Sequence, residues 1–123
     1  MSRKVGTIAW RDLTVENAEA LKDFYVEVVG FEASPQDMGG YDDYNMVAPG
    51  SGEAIAGICH ARGPNANLPP QWLVYFAVDD VDAAAARCIA QGGAVIDGPR
   101  QMGSYRFCVI RDPAGAVAAL ISE

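Results

Sequence analysis

Apolar and polar residues alternate in short runs along most of this chain, and in two places the alternation gives way to helical spacing. The first run, from Lys4 to Val15, reads as a strand. Behind it Leu21, Phe24, Tyr25 and Val28 fall at i, i+3, i+4 and i+7. Asn17 stands at the N-cap and Gly30 where a left-handed C-cap residue belongs, so the spacing predicts a helix over Asn17–Val29 with those four residues buried. Three short strands are expected next, near Phe31–Gln36, Tyr41–Ala48 and Ala54–Cys59. Met38-Gly39-Gly40 and Pro49-Gly50-Ser51-Gly52 set them apart. The segment from Gly63 to Pro70 has no periodicity and reads as a surface connector.

The pattern then restarts. Trp72–Val78 is strand-like, and Val81, Ala84, Ala85 and Cys88 repeat the helical spacing behind an Asp80 N-cap, ending at Gly92-Gly93. Further strands are expected at Ala94–Ile96, Tyr105–Arg111 and Ala116–Ser122. A shift of 63 residues lays Val15 on Val78, Asn17 on Asp80, Gly30 on Gly93 and Gly52 on Gly115. The expected fold class is therefore α+β: two βαβββ modules in tandem, forming an eight-stranded, barrel-like cleft with the helices outside.

Composition narrows the function. The 123 residues carry 9 Lys and Arg against 16 Asp and Glu, a net charge of −7. That sign suits neither nucleic acid nor anionic membrane, and no apolar run approaches the roughly 20 residues of a membrane span. A cytoplasmic protein is expected. Three widely spaced cysteines argue against a disulfide framework or a zinc knuckle, and the single histidine, His60, excludes any site needing two imidazoles. The Gly-rich stretches lack the spacing of a phosphate-binding loop.

Certain runs carry a family likeness. Trp10-Arg-Asp-Leu-Thr-Val-Glu-Asn with Phe24-Tyr25, then Trp72-Leu-Val-Tyr-Phe-Ala-Val-Asp-Asp-Val-Asp, Gly92-Gly93 and Asp112-Pro-Ala-Gly resemble the vicinal oxygen chelate superfamily. This group holds glyoxalase I, extradiol dioxygenases, small epimerases and bleomycin resistance proteins. The resemblance implies one glyoxalase/bleomycin resistance-like domain over 1–123, with module one at about 4–61, a connector at 62–71 and module two at about 72–123. It also implies a divalent metal held by His or Glu from the first and last strands of each module. The corresponding positions here are Trp10, Leu73, Ala119 and either Ala56 or Gly57, none with a metal-binding side chain. No metal and no cofactor are expected, and a homodimer is.

By the resemblance, the strand face bearing Trp10, Asp12 and Thr14, and that bearing Leu73, Tyr75 and Ala77, is the concave one. Trp10 offers an aromatic wall and an indole N–H, Asp12 an anchor for a cationic group, and Tyr75 and Thr14 hydroxyls. Trp10, Asp12, Thr14 and Tyr75 are the candidate ligand-binding residues. Trp72, of opposite parity, is expected to pack against the second helix. His60 is expected at a solvated rim. Cys59 has no evident thiolate-stabilising partner, and Asp79-Asp80-Val81-Asp82 reads as helix capping rather than a metal cluster. These features favour a metal-independent domain that sequesters or senses a neutral or cationic organic ligand, as bleomycin resistance proteins do. Two alternatives stay open. One is a superfamily enzyme (lyase, isomerase or dioxygenase) with displaced metal ligands or acid–base chemistry by Asp12 and His60; the other is a structural or interaction module.

Overall fold

The computed structural model describes residues 4–123. Among them are eight strands and two α-helices in the order β1 (Ile8–Val15), α1 (Ala18–Val29), β2 (Glu32–Asp37), β3 (Asp42–Val47), β4 (Ala54–His60), β5 (Trp72–Ala77), α2 (Val81–Ala90), β6 (Ala94–Met102), β7 (Tyr105–Arg111) and β8 (Val117–Ser122). A 3-10 turn over Gly63–Asn65 lies in the connector. The strand order is β2-β3-β4-β1-β5-β8-β7-β6, so each βαβββ repeat has the same topology. Its first strand runs parallel to its last, and the other pairs are antiparallel.

The chain falls into two compact units, Arg11–Trp72 in one and Leu73–Glu123 with the described residues up to Trp10 in the other. In the Arg11–Trp72 unit, Asn17 caps α1 by accepting the Ala20 N–H at 3.1 Å, and Gly30 closes it at φ 91°. The buried stripe differs from the expected one. Ala18, Leu21, Tyr25 and Val26 pack on Leu13, Tyr44, Met46 and Ile58 of the sheet, while Phe24 and Val28 are exposed. Lys22 explains the rotation. It takes a stripe position with its aliphatic stem, and its ammonium lies 4.9 Å from the Tyr44 ring centroid, so a count of apolar residues misplaces the face. Trp72 also departs from expectation. Its indole N–H donates to the Tyr25 hydroxyl at 3.0 Å and the rings meet edge to face, which puts it against α1 rather than the second helix.

In the Leu73–Glu123 unit the helix matches its pattern except at Cys88, which is only half-buried. Asp80 accepts the Ala83 N–H, and Val81, Ala84 and Ala85 are buried against Cys108 and Leu120. The surprise is β6, which continues to Met102 where the sequence suggests an end at Ile96. Gly98-Pro99 is absorbed as an irregularity between Asp97 and Arg100, and pairing with β7 then resumes through Arg100, Gln101 and Met102. Gly98 permits this at φ 82°, since a Cβ there would lie 2.9 Å from the Phe107 carbonyl oxygen.

Candidate functional site

Each unit buries one sheet face under its helix, and the side chains of chemical interest stand on the other. In Leu73–Glu123, strand alternation directs Cys108, Ile110 and Leu120 to α2. The opposite face therefore carries Tyr75, Ala119 and Val109 in one row, and Ala77, Ile121, Phe107 and Arg100 in the next. It is an apolar surface with few polar groups. Tyr75 and Phe107 lie 6.3 Å apart, and the Arg100 guanidinium sits 4.4 Å above the Phe107 ring while donating to Asp97 at 2.9 Å.

Two cavities open in this unit. The larger, about 210 Å³, is lined by Ala9, Trp10, Tyr75, Met102, Tyr105 and Ile121. Trp10 is half-buried, while Tyr75 is buried. The smaller, about 110 Å³, is lined by Ala77, Val78, Asp79, Tyr105, Ile121, Ser122 and Glu123. Of the four sequence candidates, Trp10 and Tyr75 are thus brought to one cavity. Met102 and Tyr105 escaped the sequence reading because both lie at the β6–β7 turn, and Met102 belongs to the strand extension beyond Gly98-Pro99. They are directly paired across the two strands.

Asp12 and Thr14 belong to the Arg11–Trp72 unit, where the helix-free face is polar. Asp12 pairs in register with Gly57 and Thr14 with Cys59, and Asn45 stands opposite Gly57 on β3. Thr14 is buried. Asp43 organises the edge of this face: one carboxylate oxygen accepts the His60 backbone N–H at 2.8 Å and lies 3.3 Å from His60 Nδ1. His60 is not the solvated rim residue expected, because its side chain is only 16% exposed. Tyr41 meets its ring edge to face, and Arg62 covers Tyr41 at 4.2 Å. No sequence spacing announces the Asp43–His60 contact, which the β3–β4 pairing creates across 17 residues. The Cys59 thiol is pushed far above its ordinary pKa, first by burial, then by the negative charges of Asp12 and Asp43 and by its hydrogen bond to Asp43. It is held as the thiol, a poor nucleophile at neutral pH.

Strand register also places the positions where the family resemblance implies metal ligands. Tyr75 faces Ala119 on β8 as Asp12, its equivalent 63 residues earlier, faces Gly57 on β4. The equivalent of Ala119 is therefore Gly57, one residue off the 63-residue shift. The irregularity between Met46 and Val47 takes up the difference. Trp10, Leu73, Gly57 and Ala119 offer no imidazole, carboxylate or thiolate, so these residues do not fit a divalent metal. Among the described residues no group of three or more His, Cys, Asp or Glu is placed to hold one elsewhere.

Comparison with known proteins agrees with this architecture. CFP32 of Mycobacterium bovis, a protein that carries the glyoxylase name, is 36% identical over 119 residues, covering 96% of this chain and 44% of its own length. The anthracycline biosynthesis protein DnrV of Streptomyces peucetius is 34% identical over 131 residues, covering 94% of this chain and 46% of its own. The chain thus spans less than half the length of these relatives. Among solved structures, a Streptomyces coelicolor methylmalonyl-CoA epimerase in complex with 2-nitronate-propionyl-CoA superposes with a TM-score of 0.58 at 20% identity, covering 96% of this chain and 97% of that one. A glyoxalase/bleomycin resistance protein/dioxygenase superfamily member from Vibrio splendidus gives 0.60 at 13% identity, covering 94% and 98%. At these identities the structural likeness speaks for the fold alone. The model of the Glyoxalase/Bleomycin resistance protein/Dioxygenase superfamily matches residues 5–120, and this chain belongs to that superfamily.

Proposed function

We propose that this chain binds a small neutral or cationic organic molecule in the apolar cavity bounded by Trp10 and Tyr75, and that side chains rather than a metal hold it. The observation that carries this reading is the cavity itself, about 210 Å³ with an indole, two phenols and a methionine thioether in its walls. Aromatic and thioether walls favour flat, polarisable ligands, and the tyrosine hydroxyls supply orienting hydrogen bonds. Metal-independent binding is supported by the side chains at Trp10, Leu73, Gly57 and Ala119, which lack donors. The relatives extend the support: one is named for anthracycline biosynthesis, and a fold neighbour is in complex with a CoA ester, so small organic molecules are the class to screen. Asp12 and Thr14 remain proposed polar contacts, and the cavity reading does not depend on them.

Native mass spectrometry of freshly purified protein, followed by calorimetry with the wild type and Trp10→Ala, tests the proposal. A carried-over or screened small molecule whose affinity drops at least about tenfold in the variant supports it. Binding indifferent to Trp10 contradicts it, and an empty cavity that takes no member of a broad aromatic screen leaves the structural-module reading in its place.

One observation favours a second reading, an acid–base enzyme. Asp43 beside His60 Nδ1 can fix the imidazole tautomer and leave Nε2 to accept a proton. Turnover that His60→Gln abolishes while binding persists would establish it.

A further inference from the structure

The two cavities of the Leu73–Glu123 unit meet at Tyr105 and Ile121, which line both. The larger is otherwise walled by Ala9, Trp10, Tyr75 and Met102, and the smaller lies at the carboxyl ends of β5 and β8 beside Ala77 and Val78. The two shared residues are held very differently. Ile121 is buried on β8, between β5 and β7, and pairs with Ala77 on one side and Phe107 on the other, so it forms a fixed floor. Tyr105 is half-buried and opens β7 one residue before the β7–β8 register begins at Arg106 and Ser122. It is paired only with Met102 on β6, across the two-residue turn Gly103-Ser104, where Gly103 takes φ 61°. Alternation along β7 directs Tyr105 to the helix-free face that also carries Phe107.

We propose that Tyr105 is the specificity-determining residue for ligand length: its ring partitions the two cavities and confines the ligand to the larger one. The proposal rests on the cavity reading above and adds a limit on size. The floor itself is continuous, because Ile121 and Ala77 are apolar, lie in register and line the smaller cavity side by side. With the ring of Tyr105 removed, an elongated apolar ligand could run along Ile121 toward Ala77 and bury its far end, which removal of that surface from water favours. Of the two shared walls only Tyr105 can be shortened without cutting into the packed sheet, since Ile121 is a core side chain on an inner strand. Met102 borders the larger cavity and not the smaller, so it shapes the first without controlling passage to the second.

The test measures, by calorimetry at pH 7 on the full chain, how much one added ring contributes to binding. The probes are 2-naphthol and 6-phenyl-2-naphthol, both neutral at that pH. In the wild type the longer probe should bind no more tightly than the shorter. In Tyr105→Val, which keeps a strand-forming side chain but removes the ring, the longer probe should bind about tenfold or more tightly than the shorter. Tyr105→Phe, which keeps the ring and loses only the hydroxyl, should behave as the wild type, and Met102→Ala should leave the ratio of the two affinities near that of the wild type. A tenfold preference for the longer probe in the wild type, its absence in Tyr105→Val, loss of all binding in that variant, or the same gain in Tyr105→Phe or Met102→Ala overturns the partition while the cavity reading stands. If 2-naphthol does not bind the wild type, the cavity reading itself fails and takes this proposal with it.

Discussion

The helix-free face of Leu73–Glu123 presents Tyr75, Val109, Phe107, Ala119 and Ile121, whereas the equivalent face of Arg11–Trp72 presents Asp12, Thr14, Asn45 and Cys59, with Asp43 at its edge. Both come from the same βαβββ topology, and both hide an apolar core on the other side. Topology thus fixes which residues alternate to which face, and leaves the chemistry of the helix-free side to individual side chains. One copy has become an apolar surface with a cavity. The other has become a hydrogen-bonded network in which Asp43 serves the His60 amide, the imidazole and the Cys59 thiol.

If that contrast is right, truncation should be costliest on the apolar face. Phe107 is 1% exposed and carries Arg100 on one side and Tyr75 on another. Phe107→Ala should lose about 3–5 kcal/mol of unfolding free energy by chemical denaturation, the range for removing a buried aromatic. A loss below about 1 kcal/mol would show that this face is not a core surface. On the polar face Asp43→Ala leaves a partly buried amide, imidazole and thiol without their acceptor, and should cost about 1–3 kcal/mol. Asp43→Asn, which keeps an acceptor, should cost less.

The same face sets the reactivity of Cys59. Its folded thiol ionises far above the ordinary thiol pKa, so its contribution to stability is fully present below that ordinary value and is lost as pH rises beyond it. Alkylation by iodoacetamide at pH 8 should be slow for Cys59 in the folded protein, and several-fold faster in Asp43→Asn, where one repelling charge is gone. Peptide mapping by mass spectrometry separates it from Cys88 and Cys108. A labelling rate equal to that of the unfolded chain would remove the burial and charge argument.

The smallest effect belongs to the surface. Asp82 is held below the ordinary carboxylate range chiefly by its hydrogen bonds to Arg106. A depressed carboxylate contributes stability that is present above its unfolded pKa and is lost as pH falls through the folded one. Exposure and salt screening keep that contribution minor, so Asp82→Asn should shift Tm only slightly at pH 7, and not at all in high salt. A large, salt-insensitive shift would mean that this pair does more than decorate the surface.

How far the residues announced these structures varied with the kind of signal. Caps were legible because Asn17 and Asp80 act on amides three residues away, a purely local geometry. The tandem repeat was legible because its glycines and caps recur at one spacing. Strand parity put Tyr75 and Ala77 on one face, and the β5–β8 register sets both on the helix-free side. Sequence reasoning failed where a side chain plays two parts or where distant strands meet. Lys22 behaves as an apolar stem, Gly98-Pro99 looks like a strand end but is bridged by β7, and Trp72 follows a hydrogen bond to Tyr25. Asp43 reaches His60 only through the β3–β4 pairing, and Met102 and Tyr105 reach the cavity wall only once β6 is extended.

The two tryptophans give the most direct test of the cavity. Trp10 lines it, while the Trp72 indole N–H is already engaged by Tyr25 in the other unit. A two-dimensional ¹⁵N NMR titration with naphthylethylamine resolves both indole N–H signals in one sample. The Trp10 signal should shift progressively and saturate while that of Trp72 stays in place. A Trp10 signal that does not move at saturating probe, or a response confined to Trp72, would contradict a ligand site in the apolar cavity.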